Sequence, residues 1–480
     1  MHLSFDAPGE KHYEEVLILL RLGGCAVRVP HFVLLGLGVV FGAGLYLDKP
    51  VDLSETPEKI TVTYWEKWTG FESEAMRGAV ELFNSKKLKN HKGQVIECHY
   101  TSITHIENKA TLAIAGGEPP DVIGLFSRNT VDFADLGALL PLDDYIRGDD
   151  FIKRENYIEV FWDNCQYRGH TWSLPTTPAT VALHWNKDLF KAAGLDPDRP
   201  PTTLKELEEF AEKLSKKDEN GRYIQIGFSP PEPGWWPWAW PIWWDGKYWD
   251  PATGRITADH PNNVASFEWL NKFRGYGAEE MLANSKSADS AFDSPQNLFL
   301  SGKVAMVLQG VWMANFIRFH NPHLNYGCAP FPAAFDTHGQ PVGLADMDTV
   351  AIPRGCRHPE EAWAMIKFLN SLEGAEYYCG AKANNGGQGK FTAFKMCSEN
   401  FLKDHSHPYL QVFIDIAKSP YAKIQPQLPM WYEYEQDMRT AFERSWLGEV
   451  SPKKALEDVQ GRMQRKYDRI MEVRKVREQK

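Results

Sequence analysis

The chain has 480 residues, 43% of them hydrophobic and 24% charged: the make-up of an ordinary globular protein, but too long for a single core. A net charge of −10 at pH 7 argues against nucleic acid as the main partner. Aromatic content is high at 13%, and the excess sits mostly in seventeen tryptophans.

The first 57 residues stand apart from the fold. Residues 31–47 read HFVLLGLGVVFGAGLYL, without formal charge, and follow Arg21 and Arg28. The run is borderline for a membrane span and long for the apolar part of a signal. The polar linker DKPVDLSETPEK behind it argues against a buried core helix. Gly42, Ala43 and Gly44 suit a signal peptidase, and the two arginines place the N-terminal side in the cytoplasm. Export to a periplasmic or other extracytoplasmic space is expected, with cleavage and anchoring by residues 31–47 both open. The cysteines, at positions 25, 98, 165, 328, 356, 379 and 397, form no zinc spacing. Disulfides and buried free thiols are equally open in an oxidising compartment.

KITVTY, starting at Lys59, reads as a strand, and Ala75, Ala79, Val80, Leu82 and Phe83 mark the apolar side of a following helix. A second strand is expected from Val95 to Tyr100, a second helix from Asn108 to Ala115, and a third strand from Asp121 to Phe126. A short helical and turn region follows at 135–142. This alternation predicts a mostly parallel sheet flanked by helices, with ligands beyond the carboxyl ends of the strands. Those ends carry Trp65, Trp68 and Phe126. The chain is extended again over 171–185, then helical from Leu189 to Ala193 and from Thr203, where Glu206 has capping-box spacing. Tyr223 to Phe228 is a strand. Further on, helices are expected at 262–273 and 292–300, with a strand at 304–308.

Between Pro231 and Tyr248 six tryptophans fall within ten residues: Trp235, Trp236, Trp238, Trp240, Trp243 and Trp244. Prolines 231, 233, 237 and 241, with Gly234, oppose a helix in the first half. Alternating proline and tryptophan is expected to hold the chain extended, so that successive rings diverge and cannot all enter one core. A ligand-cleft wall offering flat apolar faces fits this pattern better than a set of core anchors. No nucleophile elbow, phosphate loop or His-Glu-x-x-His pattern occurs, and no cofactor or metal is expected. His184, inside an apolar run, reads as a core histidine.

From about Ile60 to Gln460 a series of marks falls in a specific order: AIAGGEPPDV (113–122), LLPLDD (139–144), LHWNKDLF (183–190), FLSGKVAMVLQGVW (299–312), PEEAWAMIKFL (359–369) and PMW (429–431). In this order the chain resembles the extracellular solute-binding proteins of ABC importers, specifically the sugar-binding group that includes maltose-binding protein. The resemblance implies an α/β fold of the type II periplasmic-binding-protein class. Each of its two lobes would be a mostly parallel sheet flanked by helices, with the ligand cleft between them. Residues 1–57 would be the signal or anchor and linker, 58–175 with 346–395 the first lobe, and 176–345 with 396–480 the second. The ligand-binding residues implied are Trp68 and Thr69 after the first strand, Phe126 and Ser127 after the third, and Thr177. From the second lobe they are Trp235, Trp236, Trp238, Trp312 and Trp431. Trp65 is added from its place at a strand end. Asp346 and Asp348 stand where relatives often carry a glycine-rich crossing, and are candidates for sugar hydroxyls or a cationic ligand. Ala179 replaces an acid of the maltose type, so maltose itself is not implied.

The expected function is substrate binding for an ABC-type carbohydrate importer: lobe closure over a sugar and delivery to the permease transmembrane subunits, by a monomer. An extracellular glycoside hydrolase or lyase needs two carboxylates in fixed roles, and no spacing nominates a pair. A membrane-tethered sugar sensor is the other alternative.

Overall fold

The β-branched and alternating runs form strands where the sequence places them. In the computed structural model, which describes residues 18–22, 25–29, 56, 58–231, 236–277, 293–380 and 387–478, the first of these strands are β1 (Lys59–Glu66), β2 (Val95–Ser102) and β3 (Val122–Phe126). β1 pairs in parallel with both β2 and β3. Helices α1 (Gly70–Ser85), α2 (Ile106–Ala115) and α3 (Ser127–Asp135) alternate with them. α1 buries Ala75, Ala79, Val80 and Phe83, and Leu82 is half-buried. The helix after the third strand lies earlier than the expected 135–142, which past Asp135 is turn, bridge and irregular chain; it starts at once, at Ser127, so a cavity-facing strand end runs directly into a helix N-terminus.

β4 (Leu174–Asn186) is thirteen residues long and buried throughout. It is followed by β5 (Lys216–Lys217), β6 (Tyr223–Phe228), β7 (Val304–Gly310), β8 (Tyr326–Ala329), β9 (Val342–Ala351) and β10 (Tyr421–Lys423). One continuous sheet runs β2-β1-β3-β9-β4-β7-β6-β5, with β8 beside β4 and β10 beside β9. The outer pairs β1–β2, β1–β3 and β6–β7 are parallel, whereas β9 runs antiparallel to β3 and β4, and β4 antiparallel to β7. The first half of β4 (174–180) pairs with β9, and the second half (181–186) with β7 and β8. β4 and β9 therefore join two parallel groups of strands.

The β4–β9 register slips once: Asp346 pairs with Ala179 but Asp348 with Thr176, leaving an extra residue in β4 at Thr177–Pro178. Pro178 has no N–H to lose there, and Thr177 adopts φ +40, which a β-branched residue reaches only under strain. α4 (Leu204–Leu214) is capped as its sequence predicts, with Thr203 Oγ1 accepting from Glu206 N at 3.1 Å.

Two expectations are corrected. Residues 293–300 form successive turns, because the Asn297 side chain accepts from Phe299 N and Leu300 N and substitutes for helical bonds. The tryptophan stretch is not extended: Pro237–Trp244 is a 3-10 helix, buried along its whole length. Pro237 sits in the first turn, where its missing N–H has no partner to lose. Three residues per turn bring Trp240 and Trp243 onto one stripe, 5.7 Å apart and both packed on Phe331. Trp244 packs on Trp269 at 5.3 Å. These three rings belong to the core.

Pro57–Lys480 forms one compact unit. Residues 18–22 and 25–29, outside it, pair as an antiparallel hairpin. The apolar run 31–47 lies outside the described residues, and no described helix is long and apolar enough to cross a membrane. Among the described residues Cys98, Cys165, Cys328, Cys356, Cys379 and Cys397 are free thiols. His184 is fully buried, and desolvation lowers its pKa to about 4.

Candidate functional site

A cavity of about 550 Å³ opens beside the β4–β9 crossing, within the range of ~300–1,000 Å³ usual for small-ligand sites. Of the residues implied from sequence, Trp68, Phe126, Thr177, Trp236, Trp238, Trp312, Asp346, Asp348 and Trp431 line it. Trp68 ends the β1 loop and Phe126 ends β3; Thr177 and the two aspartates come from the crossing strands. Trp236 and Trp238 flank the start of the 3-10 helix, Trp312 follows β7, and Trp431 opens α5 (Trp431–Trp446).

Three implied residues are not in the wall. Trp65 packs on the far side of β1, with Ile106, Ile123 and Leu125, because strand alternation sends Tyr64 and Glu66 to one face and Trp65 to the other. Thr69 is exposed at the start of α1, where its backbone carbonyl accepts from Ser73 N. Ser127 is buried behind the wall; it donates to Asp346 Oδ1 at 3.4 Å and accepts from Gln425 Nε2 at 2.6 Å. Trp235 lies outside the described residues.

The aromatic lining has two textures. On one side the rings pack on one another: Trp238 and Trp431 meet edge to face, 5.0 Å apart at 85°, and Trp236 and Trp312 are tilted, 5.8 Å apart at 58°. Gly310 permits this, since a Cβ there would strike the Trp312 ring. On the other side the rings carry cations. Lys67 Nζ lies 4.6 Å from the Trp68 centroid and 4.7 Å from that of Phe126. Lys390 Nζ lies 4.4 Å from Trp68, and the Arg128 guanidinium 4.1 Å from Phe126. Trp68 Nε1 and Trp431 Nε1 are buried with no acceptor among the described residues.

Behind this second side is a buried charge network. Lys67 Nζ meets Asp348 Oδ1 at 3.0 Å and Glu66 Oε1 at 3.1 Å, with the lysine side chain only 4% exposed. Glu66 Oε2 accepts from Tyr64 Oη at 2.6 Å and sits over Gly124, where a Cβ would collide with the carboxylate. Asp348 Oδ2 accepts from the hydroxyl of the strained Thr177. Burial opposes the charge of Lys67, but Asp348 and Glu66 outweigh it and hold its pKa above the usual lysine range. One ammonium thus fixes Trp68, Phe126 and Asp348, which come from the loop after β1, from β3 and from β9.

Several lining groups were not singled out from sequence. Glu72 pairs with Lys390 at 3.4 Å, and Glu435 with Arg128 at 4.0 Å. Burial is the main cause that raises Asp346 above the usual carboxylate range and Glu435 to about 7. Glu435 lies one helical turn from Trp431, a spacing that would have nominated it; Arg128 follows Phe126-Ser127 directly. Lys390 sits in irregular chain and carries no sequence signal. Among the described residues no group of three metal-ligating side chains occurs.

A family model described as "Bacterial extracellular solute-binding protein" matches residues 72–376. A binding protein of Brucella abortus (strain 2308) is 26% identical over 360 residues, covering 73% of this chain and 80% of the relative. The maltotriose-binding protein of Pyrococcus abyssi is 23% identical over 289 residues, 58% of this chain and 56% of that protein. Among solved structures, CpMnBP1 with mannobiose bound superposes with a TM-score of 0.68 at 26% identity, covering 84% of this chain and 99% of that one.

Proposed function

The chain belongs to the bacterial extracellular solute-binding proteins, and from that premise we propose that it is the substrate-binding component of an ABC-type carbohydrate importer. It holds a sugar or oligosaccharide in the tryptophan-lined cavity and hands it, unaltered, to permease transmembrane subunits. The observation that carries this reading is the cavity wall itself. Trp236, Trp238, Trp312 and Trp431 offer apolar ring surface for the C–H faces of pyranoses, while Asp346, Asp348 and Glu72 offer acceptors for hydroxyls. The buried indole N–H groups of Trp68 and Trp431 are donors suited to sugar oxygens. The named ligands of the relatives, maltotriose and mannobiose, support the same chemistry.

The two lobes proposed are 58–175 with 346–395 and 176–345 with 396–480, and they flex about β4 and β9. The exchange of strand partners halfway along β4 supports that division. The protein acts as a monomer, without nucleic acid, and residues 31–47 serve export as a cleaved signal or an anchor.

The test is a thermal-shift panel containing mannobiose, mannotriose and maltotriose, followed by chromatography of the recovered sugar. A saccharide present at 100 times its Kd should stabilise the protein by about 2.7 kcal/mol and return intact at 1:1 stoichiometry. Recovery of cleaved sugar would move the protein into the hydrolase or lyase class.

A further inference from the structure

The charges around the cavity are already spent on one another. Lys390 lies against Glu72 and the Trp68 face, and Arg128 against Glu435 and the Phe126 face. Lys67 is held behind the wall by Asp348 and Glu66. Arg439, the remaining lining cation among the described residues, acts on Glu435. Asp346 is different. Its Oδ1 accepts from Met347 N at 2.8 Å and from Ser127 Oγ, and Arg128 and Lys390 act on it only at longer range, without a salt bridge among the described residues. The described lining therefore holds one more carboxylate than cation.

A helix N-terminus ordinarily attracts anions. Here α3 begins at Ser127, and the anion that its first residue meets is the protein's own Asp346. A phosphate or carboxylate brought into this cavity would find its cations committed and a carboxylate at the helix end.

We infer that the site takes an uncharged saccharide and rejects phosphorylated sugars and uronic acids, with Asp346 as the residue that sets this choice. The inference rests on the carbohydrate reading above and narrows it. Hydroxyl groups donate to Asp346 without adding charge, whereas an anionic substituent at the same place meets it head-on.

The experiment measures affinity at pH 7.5 for mannobiose and maltotriose, for their C6-oxidised uronates, for the matching uronamides and for mannose 6-phosphate. The uronates should bind at least tenfold more weakly than their neutral parents. The uronamides, which share the uronate shape without its charge, should fall within threefold of the parents. In Asp346→Asn the parent-to-uronate ratio should shrink at least threefold, whatever happens to absolute affinity. A uronate or mannose 6-phosphate that binds as tightly as a neutral sugar overturns the inference and leaves the carbohydrate reading standing. Equal weakness of uronate and uronamide also overturns it, because shape would then be the cause. Failure of every saccharide, neutral or charged, overturns the carbohydrate reading and the inference with it.

Discussion

Glu66, Lys67 and Asp348 show how much a single buried charge can organise. Replacing an isolated buried ion pair by apolar groups is often neutral, but removing one member leaves the others uncompensated. Lys67→Met strands two carboxylates inside the first group of strands, and should cost about 3–5 kcal/mol in urea unfolding. A loss below about 1 kcal/mol would mean that Glu66 and Asp348 have other cations within reach. Glu435 gives a pH signature. Burial, partly offset by Arg128, raises it from 4.5 to about 7, so between those values the folded protein holds a proton that the unfolded chain has released. That contribution to stability is complete at acid pH and is lost as pH rises through 7. Relative to Glu435→Gln, the wild type should lose on the order of 3 kcal/mol between pH 4.5 and pH 8. Parallel stability curves for the two proteins would contradict the raised value.

At the scale of elements, β-branched and alternating runs were legible wherever local preference and tertiary placement agree. β1, β2, β3 and β6 begin within a residue or so of where the sequence puts them. The tryptophan stretch was misread because proline was taken as a bar to any helix. A proline in the first turn, and three-residue turns that align Trp240 with Trp243, turn an apparently divergent array into a core stripe with Phe331. At the start of the helix Trp236 and Trp238 reach the cavity instead. The network around Lys67 could not be read from sequence, since Phe126 and Asp348 lie 59 and 281 residues away in contacts that only the sheet register creates. Two classes of tryptophan follow. Trp240→Ala and Trp243→Ala should each lower stability by about 3–5 kcal/mol, measured by denaturant titration. Equal costs at Trp236 would place that ring in the same structural class.

For the whole molecule, β4 and β9 exchange partners halfway along their length, and the cavity lies where the two parallel groups of strands meet. Bending at the Thr177–Pro178 bulge would move the Trp68–Phe126 wall against the Trp238–Trp431 wall. Small-angle scattering should therefore record a decrease in the radius of gyration when a bound saccharide is added, and unchanged dimensions would contradict closure. The resemblance noted in the sequence gave the order of the elements but not this balance of charges, which depends on side chains such as Lys390 in irregular chain. Saccharide binding in the tryptophan-lined cavity is decided by titrating Trp312→Ala with the panel saccharide that stabilises the wild type most, beside its melting curve. A stacking ring is worth roughly 1–3 kcal/mol by analogy with base–aromatic contacts, so Kd should weaken about tenfold to a hundredfold while the protein stays folded. Folded Trp312→Ala protein that binds this saccharide as tightly as the wild type would place the sugar elsewhere and contradict binding in this cavity.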